Sequence, residues 1–133
     1  MKKFVSLFTA LALCVSIGSF AVAQEKSEEA AKKVVKPKYT VKEVMKKAMK
    51  EGLLKKVSSG RANDKEKLEL LDLMVSLTEN KPPKGEMASW NKFAANAALA
   101  AAKAAVGRED AAASLKMHAA NCKGCHGAHK PKK

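Results

Sequence analysis

The chain has 133 residues and carries 26 Lys+Arg against 13 Asp+Glu, a formal net charge of +13. That length holds one domain, and aromatics at 5% with little strand-type alternation exclude a β-sandwich. No aromatics interleave with the basic residues to stack bases, so the charge does not point to nucleic acid.

Residues 1–23 read as a cleaved export signal. Lys2 and Lys3 precede a largely apolar run from Phe4 to Val22, and Ala21-Val22-Ala23 is a small-x-small cleavage site. Strongly polar sequence follows at once, and nothing apolar of spanning length recurs, so no membrane span is expected. Cleavage would remove Cys14, and Leu13 stands where lipid attachment wants a small residue. Cys122 and Cys125 then remain, too close together for a disulfide-stapled scaffold. Residues 24–38 are charged and end near Pro37, and read as a flexible leader.

Four helical patterns follow. The first opens at Thr40, with Glu43 as capping-box partner. Val41, Val44, Met45, Ala48 and Gly52 share one face at about 100° per residue. Leu53, Leu54 and Val57 point elsewhere, which makes Gly52 a break or kink. The second opens at Asn63 with Glu66. Its apolar face is read as Leu68, Leu71, Met74, Val75 and Thr78, widened by Leu70 and Leu77. Pro82 and Pro83 stop it.

The third starts near Ala88 or Ser89, with Trp90, Phe93, Ala94, Ala97, Ala101 and Ala104 at helical spacing, and stops at Val106-Gly107. The fourth starts at Arg108-Glu109-Asp110, whose acids suit a helix N-terminus. It carries Leu115, His118, Ala119, Cys122, Cys125, His126 and His129 on one face, and Pro131 ends it. The expected fold is all-α, an antiparallel four-helix bundle over residues 39–130 with a basic tail at 131–133. The last two helices offer mostly alanine, so something other than side chains is expected to fill part of the interior.

Cys122-Lys123-Gly124-Cys125-His126 is the c-type haem attachment pattern C-x-x-C-H. On a helix, thiols at i and i+3 reach the two vinyl groups of one porphyrin, and an imidazole at i+4 can bind the iron axially. Gly124 removes a side chain that could crowd the ring edge. Two alternatives use the same residues. A redox dithiol wants its motif at a helix N-terminus, whereas this one is expected near a C-terminal end. A zinc site from Cys122, Cys125, His118 and His129 would place four donors on one helical face, which cannot easily surround an ion.

With these residues the chain resembles the cytochrome c′ superfamily, nearest its low-spin, methionine-ligated relatives. Those are exported four-helix-bundle monohaem proteins with the attachment motif near the C-terminus. The resemblance covers about residues 39–130. His129 and Lys130 stand where the family often has an aromatic and a basic residue after the motif. Trp90 and Phe93 match its third helix, and Met45-Lys46 matches a Met-Lys pair in its first. The chain departs from the family in lacking a helix-1 arginine and in its Lys81-Pro82-Pro83-Lys84-Gly85 turn. Mitochondrial-type cytochromes c run in the opposite order, with the haem motif first and the methionine last.

The residue facing the iron opposite His126 decides the chemistry. Methionine gives a six-coordinate iron of raised potential, suited to electron transfer. Met45 has the best position, central on the first helix; Met49, one turn on, is the alternative. Met117 and His118 share the proximal ligand's helix, Met87 is a loop or edge residue, and Met74 packs in the core. An open distal side would instead give a cytochrome c′-type five-coordinate haem that binds nitric oxide or other small gases. His118 is expected at a haem edge, and His129 at the surface or facing a propionate. Trp90 is expected to pack beside the porphyrin, its indole N–H within reach of a propionate.

Residues 32–56 hold ten lysines against Glu43 and Glu51, and residues 111–133 hold five and no acid. A basic rim around a haem edge would attract acidic redox partner proteins. A solvated lysine face that keeps the chain soluble, or attraction to anionic lipid, would use the same residues; pairing of two copies is a further option. No nucleophile–base pair, phosphate-cradling glycine loop or carboxylate cluster points to an enzyme. The expectation is a periplasmic or otherwise exported haem c protein that carries single electrons.

Overall fold

The computed structural model describes residues 36–131, all of them helix, turn or loop. The expected signal at 1–23 and most of the leader and tail lie outside the described residues.

Thr40 caps the first helix as its sequence implies. Its Oγ1 accepts from the Glu43 N–H, and the Glu43 carboxylate accepts from the Thr40 N–H at 2.8 Å. α1 (Val41–Val44) passes directly into a π-helical stretch, Met45–Lys50. Gly52, at φ +83°, turns the chain there. Only glycine adopts that conformation readily, and α2 (Leu53–Ser58) leaves in a new direction that buries Leu54 and Val57. The kink thus brings into the core the residues that a straight helix would point away.

α3 (Asp64–Glu79) starts at the Asn63–Glu66 capping box. Its buried face keeps Met74, Leu70 and Leu77 of the expected one, adds Leu73 and leaves out Leu68 and Val75. Leu70, Leu73, Met74 and Leu77 are buried, while Leu68 is 58% and Val75 39% exposed. Leucine lies on several sides of this helix, so two stripes satisfy the same period. The chosen stripe is the one that fits α4.

α4 (Met87–Ala105) presents Trp90, Ala94, Ala97, Ala100, Ala101 and Ala104 to the core. α3 and α4 make the most extensive helix pair. The leucines of α3 project over a shallow alanine surface, so large side chains meet small ones. Each buried leucine contributes about 1.5–3 kcal/mol.

The last expected helix is three pieces. α5 (Ala111–Ser114) runs into a second π-helical stretch, Leu115–Ala119, and α6 (Cys122–His129) begins anew after Ala120 and Asn121. Asp110 makes no side-chain cap, since Lys103 pairs with its carboxylate and holds its pKa below the ordinary range. The second π-helical stretch packs against α4, with α2 also in contact. No helix among the described residues is long and apolar enough to cross a membrane.

Candidate functional site

The break at Ala120–Asn121 places the Cys-x-x-Cys-His motif at the start of a helix, contrary to the expectation that it sits near the end of one. Asn121 is the reason. Its side-chain carbonyl accepts the Gly124 N–H at 3.1 Å, capping α6. Gly124 serves that cap. A Cβ there would lie 2.7 Å from the Asn121 side chain, so the glycine makes room for the asparagine.

Cys122 is then the first residue of α6 and exposed, and Cys125, one turn on, is half-buried. Burial, with the neighbouring Cys122 thiol adding, pushes the Cys125 pKa above the ordinary thiol value. Position no longer separates this motif from a redox dithiol. The raised Cys125 thiol does favour a group that stays protonated at neutral pH.

Both cysteines and His126 line one cavity of about 380 Å³. Across it stand Met45 and Met49 from the first π-helical stretch, with Met74 and Leu77 from α3 and Trp90, Phe93, Ala94 and Ala97 from α4. Met45, Trp90, Cys122 and His126, the residues expected around the haem, meet at this cavity. Met49, the alternative one turn on from Met45, lines the cavity with them. Both π-helical stretches border the cavity, the second through His118 and Ala119. Met74 is fully buried and lines it as well. Met117 is 67% exposed and Met87 44% exposed, and neither lines the cavity.

Two expected contacts are replaced by others. The Trp90 indole N–H donates to the carbonyls of Leu77, at 3.0 Å, and Asn80, at 2.8 Å, so it serves the end of α3 rather than an external carboxylate. Asn80 in turn donates to the Tyr39 carbonyl at 2.8 Å, fastening the segment before α1. His129 is buried, at 2% exposure, where a surface or propionate-facing residue was expected. Its Nδ1–H donates to the Lys84 carbonyl at 2.9 Å, and its Nε2 shares a hydrogen bond with the Ser89 hydroxyl at 3.2 Å. Trp90 and Phe93 pack edge-on against its ring, with centroids 5.4 and 5.9 Å away. The Pro82-Pro83-Lys84-Gly85 turn is thus a docking surface for α6. With both His129 nitrogens engaged on the α4 side, it does not converge with Cys122, Cys125 and His118 on one ion.

The Asn121 and Asn80 contacts were not foreseen. Asn121 was legible as an N-cap three residues before Gly124, whereas Asn80 gave no signal beyond ending a helix. Comparison with protein-family models, with curated proteins and with solved structures finds no match for this chain.

Proposed function

We propose that this chain is an exported monohaem c-type cytochrome of the cytochrome c′ type, an antiparallel four-helix bundle that carries single electrons. Cys122 and Cys125 would hold the haem as thioethers, and His126 on the attachment helix and Met45 across the cavity would be its iron ligands. The observation that carries the reading is the convergence of two free thiols, the imidazoles of His118 and His126 and the thioethers of Met45, Met49 and Met74 on one largely apolar cavity. Its volume lies within the range of about 300–1,000 Å³ common for cofactor pockets. The donor set suits iron in a porphyrin, and the thiol spacing suits its two vinyl groups.

When bound, the haem supplies a one-electron couple. The rest is done by the chain. The apolar wall of Met74, Leu77, Phe93 and the alanines excludes water, which limits solvent reorganisation and raises the potential. Trp90 is fixed by its two hydrogen bonds and offers a rigid face to the cavity. The thioether of Met45 is soft and flexible, and as an iron ligand it would compete with small gases for the haem. Lysines of α1 and its π-helical continuation, with those near α6, give the cavity's surroundings a positive sign that attracts acidic redox proteins.

The optical spectrum of purified, reduced protein tests this reading. A low-spin c-type haem spectrum, unchanged under carbon monoxide, is expected. A high-spin spectrum that shifts at once under carbon monoxide would move the function to gas binding, with Met45 lining the cavity only. A chain without haem absorption contradicts both.

A further inference from the structure

A second cleft, of about 430 Å³, opens beside the apolar cavity. Ser89, Lys92, Phe93 and Asn96 of α4 form one wall, and His118 and Asn121 the other. Phe93, His118 and Asn121 also line the apolar cavity, so the two spaces share a boundary. The four α4 residues stand at i, i+3, i+4 and i+7, one stripe of a helix. On a helix built mostly of alanine, that stripe gathers a cation, an amide and a hydroxyl without packing them into the core.

Ser89 is engaged by His129, and the Asn121 carbonyl by the Gly124 N–H. The Lys92 ammonium, the Asn96 amide, the Asn121 amide nitrogen and the His118 ring have no hydrogen-bond partner among the described residues. No carboxylate lines the cleft. It therefore offers several donors and one positive charge at the edge of an apolar space.

We propose that this cleft is an oxyanion subsite, which holds a carboxylate arm of the ligand whose apolar body occupies the adjoining cavity. This rests on the haem reading, because porphyrin is an apolar plate bearing two propionates. Lys92 supplies a charge-assisted hydrogen bond, and Asn96, His118 and Asn121 supply further donors. The Trp90 indole N–H is committed to α3, so it does not compete for that role. A free oxyanion such as phosphate offers the same acceptors, and the test separates the two sources.

The experiment uses haem-loaded full chain. Water-soluble carbodiimide and methylamine convert accessible propionates to amides, and the mass of the haem peptide reports each addition. A carboxylate held by Lys92 should react about two- to fivefold more slowly in wild type than in Lys92→Gln, the range expected for an exposed ion pair. Lys92 is exposed on a helix surface, so that variant retains the fold. Asn96→Asp, which sets a like charge against the arm, should also speed the reaction. Lys116→Gln removes an exposed lysine outside the cleft and should leave the rate unchanged. Equal rates in wild type and Lys92→Gln, with haem attached, overturn the subsite and leave the haem reading standing. Titration of haem-loaded protein with inorganic phosphate should show no uptake at the cleft. Uptake that Lys92→Gln abolishes identifies a free-anion site and overturns the carboxylate arm. A chain that carries no haem overturns subsite and haem reading together.

Discussion

The Nδ1–H of His129 donates to the main-chain carbonyl of Lys84, joining the last helix to the turn that precedes α4. Gly85 completes the junction. Its φ is +82°, and a Cβ there would lie 2.7 Å from the Ala128 carbonyl and 3.0 Å from His129 Nδ1. The helix bearing Cys122, Cys125 and His126 is therefore held at both ends, by Asn121 at its start and by His129 at its end.

His129→Ala should cost about 2–4 kcal/mol, the sum of a lost buried ring and two lost hydrogen bonds. His129→Phe should restore the edge contacts with Trp90 and Phe93 but leave the Lys84 carbonyl unpaired, costing about 1–3 kcal/mol. Gly85→Ala should destabilise by at least about 1 kcal/mol through backbone strain and the clash with Ala128. Denaturant unfolding of each variant checks the series. A His129→Ala chain as stable as wild type would mean that the junction contributes nothing.

Asn121→Ala should cost about 1 kcal/mol, the usual loss for an N-cap. Gly124→Ala should cost a similar amount by displacing the same side chain. Because both act on one contact, the double variant should be less unstable than the two losses added. Full additivity would show that Gly124 serves something other than the cap.

What was legible follows from how local the signal is. Both capping boxes, the Gly52 turn and the Pro82-Pro83 stop are carried by a few adjacent residues, and each lies where the sequence puts it. The cavity was legible as well, because Met45, Trp90, Cys122 and His126 each lie on an apolar stripe. Facing on α3 was not. Leu68 and Leu70 both fit a helical period, and only packing against the alanines of α4 selects between them. The division of the last helix was hidden because Leu115 to His129 keep one period across the break at Asn121, and a period carries no information about continuity. The burial of His129 depends on the Lys84 carbonyl, forty-five positions away, which no local pattern reveals.

Acid should weaken the starts of α1 and α3. Hydrogen bonds from Thr40 hold the Glu43 carboxyl below its ordinary value. The Lys56 ammonium, then the Asn63 N–H, do the same for Glu66. A carboxyl with a lowered pKa in the folded state binds fewer protons there than in the unfolded chain. Its stabilisation is complete above the unfolded value, near 4.5, and is lost as pH falls through the folded one. Helicity should thus decline below about pH 4.5. Gln at positions 43 and 66 keeps a capping acceptor without titrating, so Glu43→Gln with Glu66→Gln should flatten that decline. An unchanged acid profile in the double variant would place the sensitivity elsewhere.

Met45 and Met49 can be told apart in the ferric, haem-loaded protein. Met45→Ala should abolish the weak near-infrared band of a sulfur–iron bond, lower the potential and admit carbon monoxide. Met49→Ala should change the band little. If Met49→Ala alone removes it, the π-helical turn has brought Met49 to the iron in place of Met45, and electron transfer remains the function.

The mass of chain made in a host with c-type haem maturation tests the central claim most directly. The account predicts one haem per chain on the peptide containing Cys122 and Cys125, retained through acid-acetone extraction. It also predicts that replacing either cysteine with alanine removes one thioether. An unmodified mass, with the thiols free or joined as a disulfide, would contradict the account and turn the motif at the start of α6 into a dithiol site.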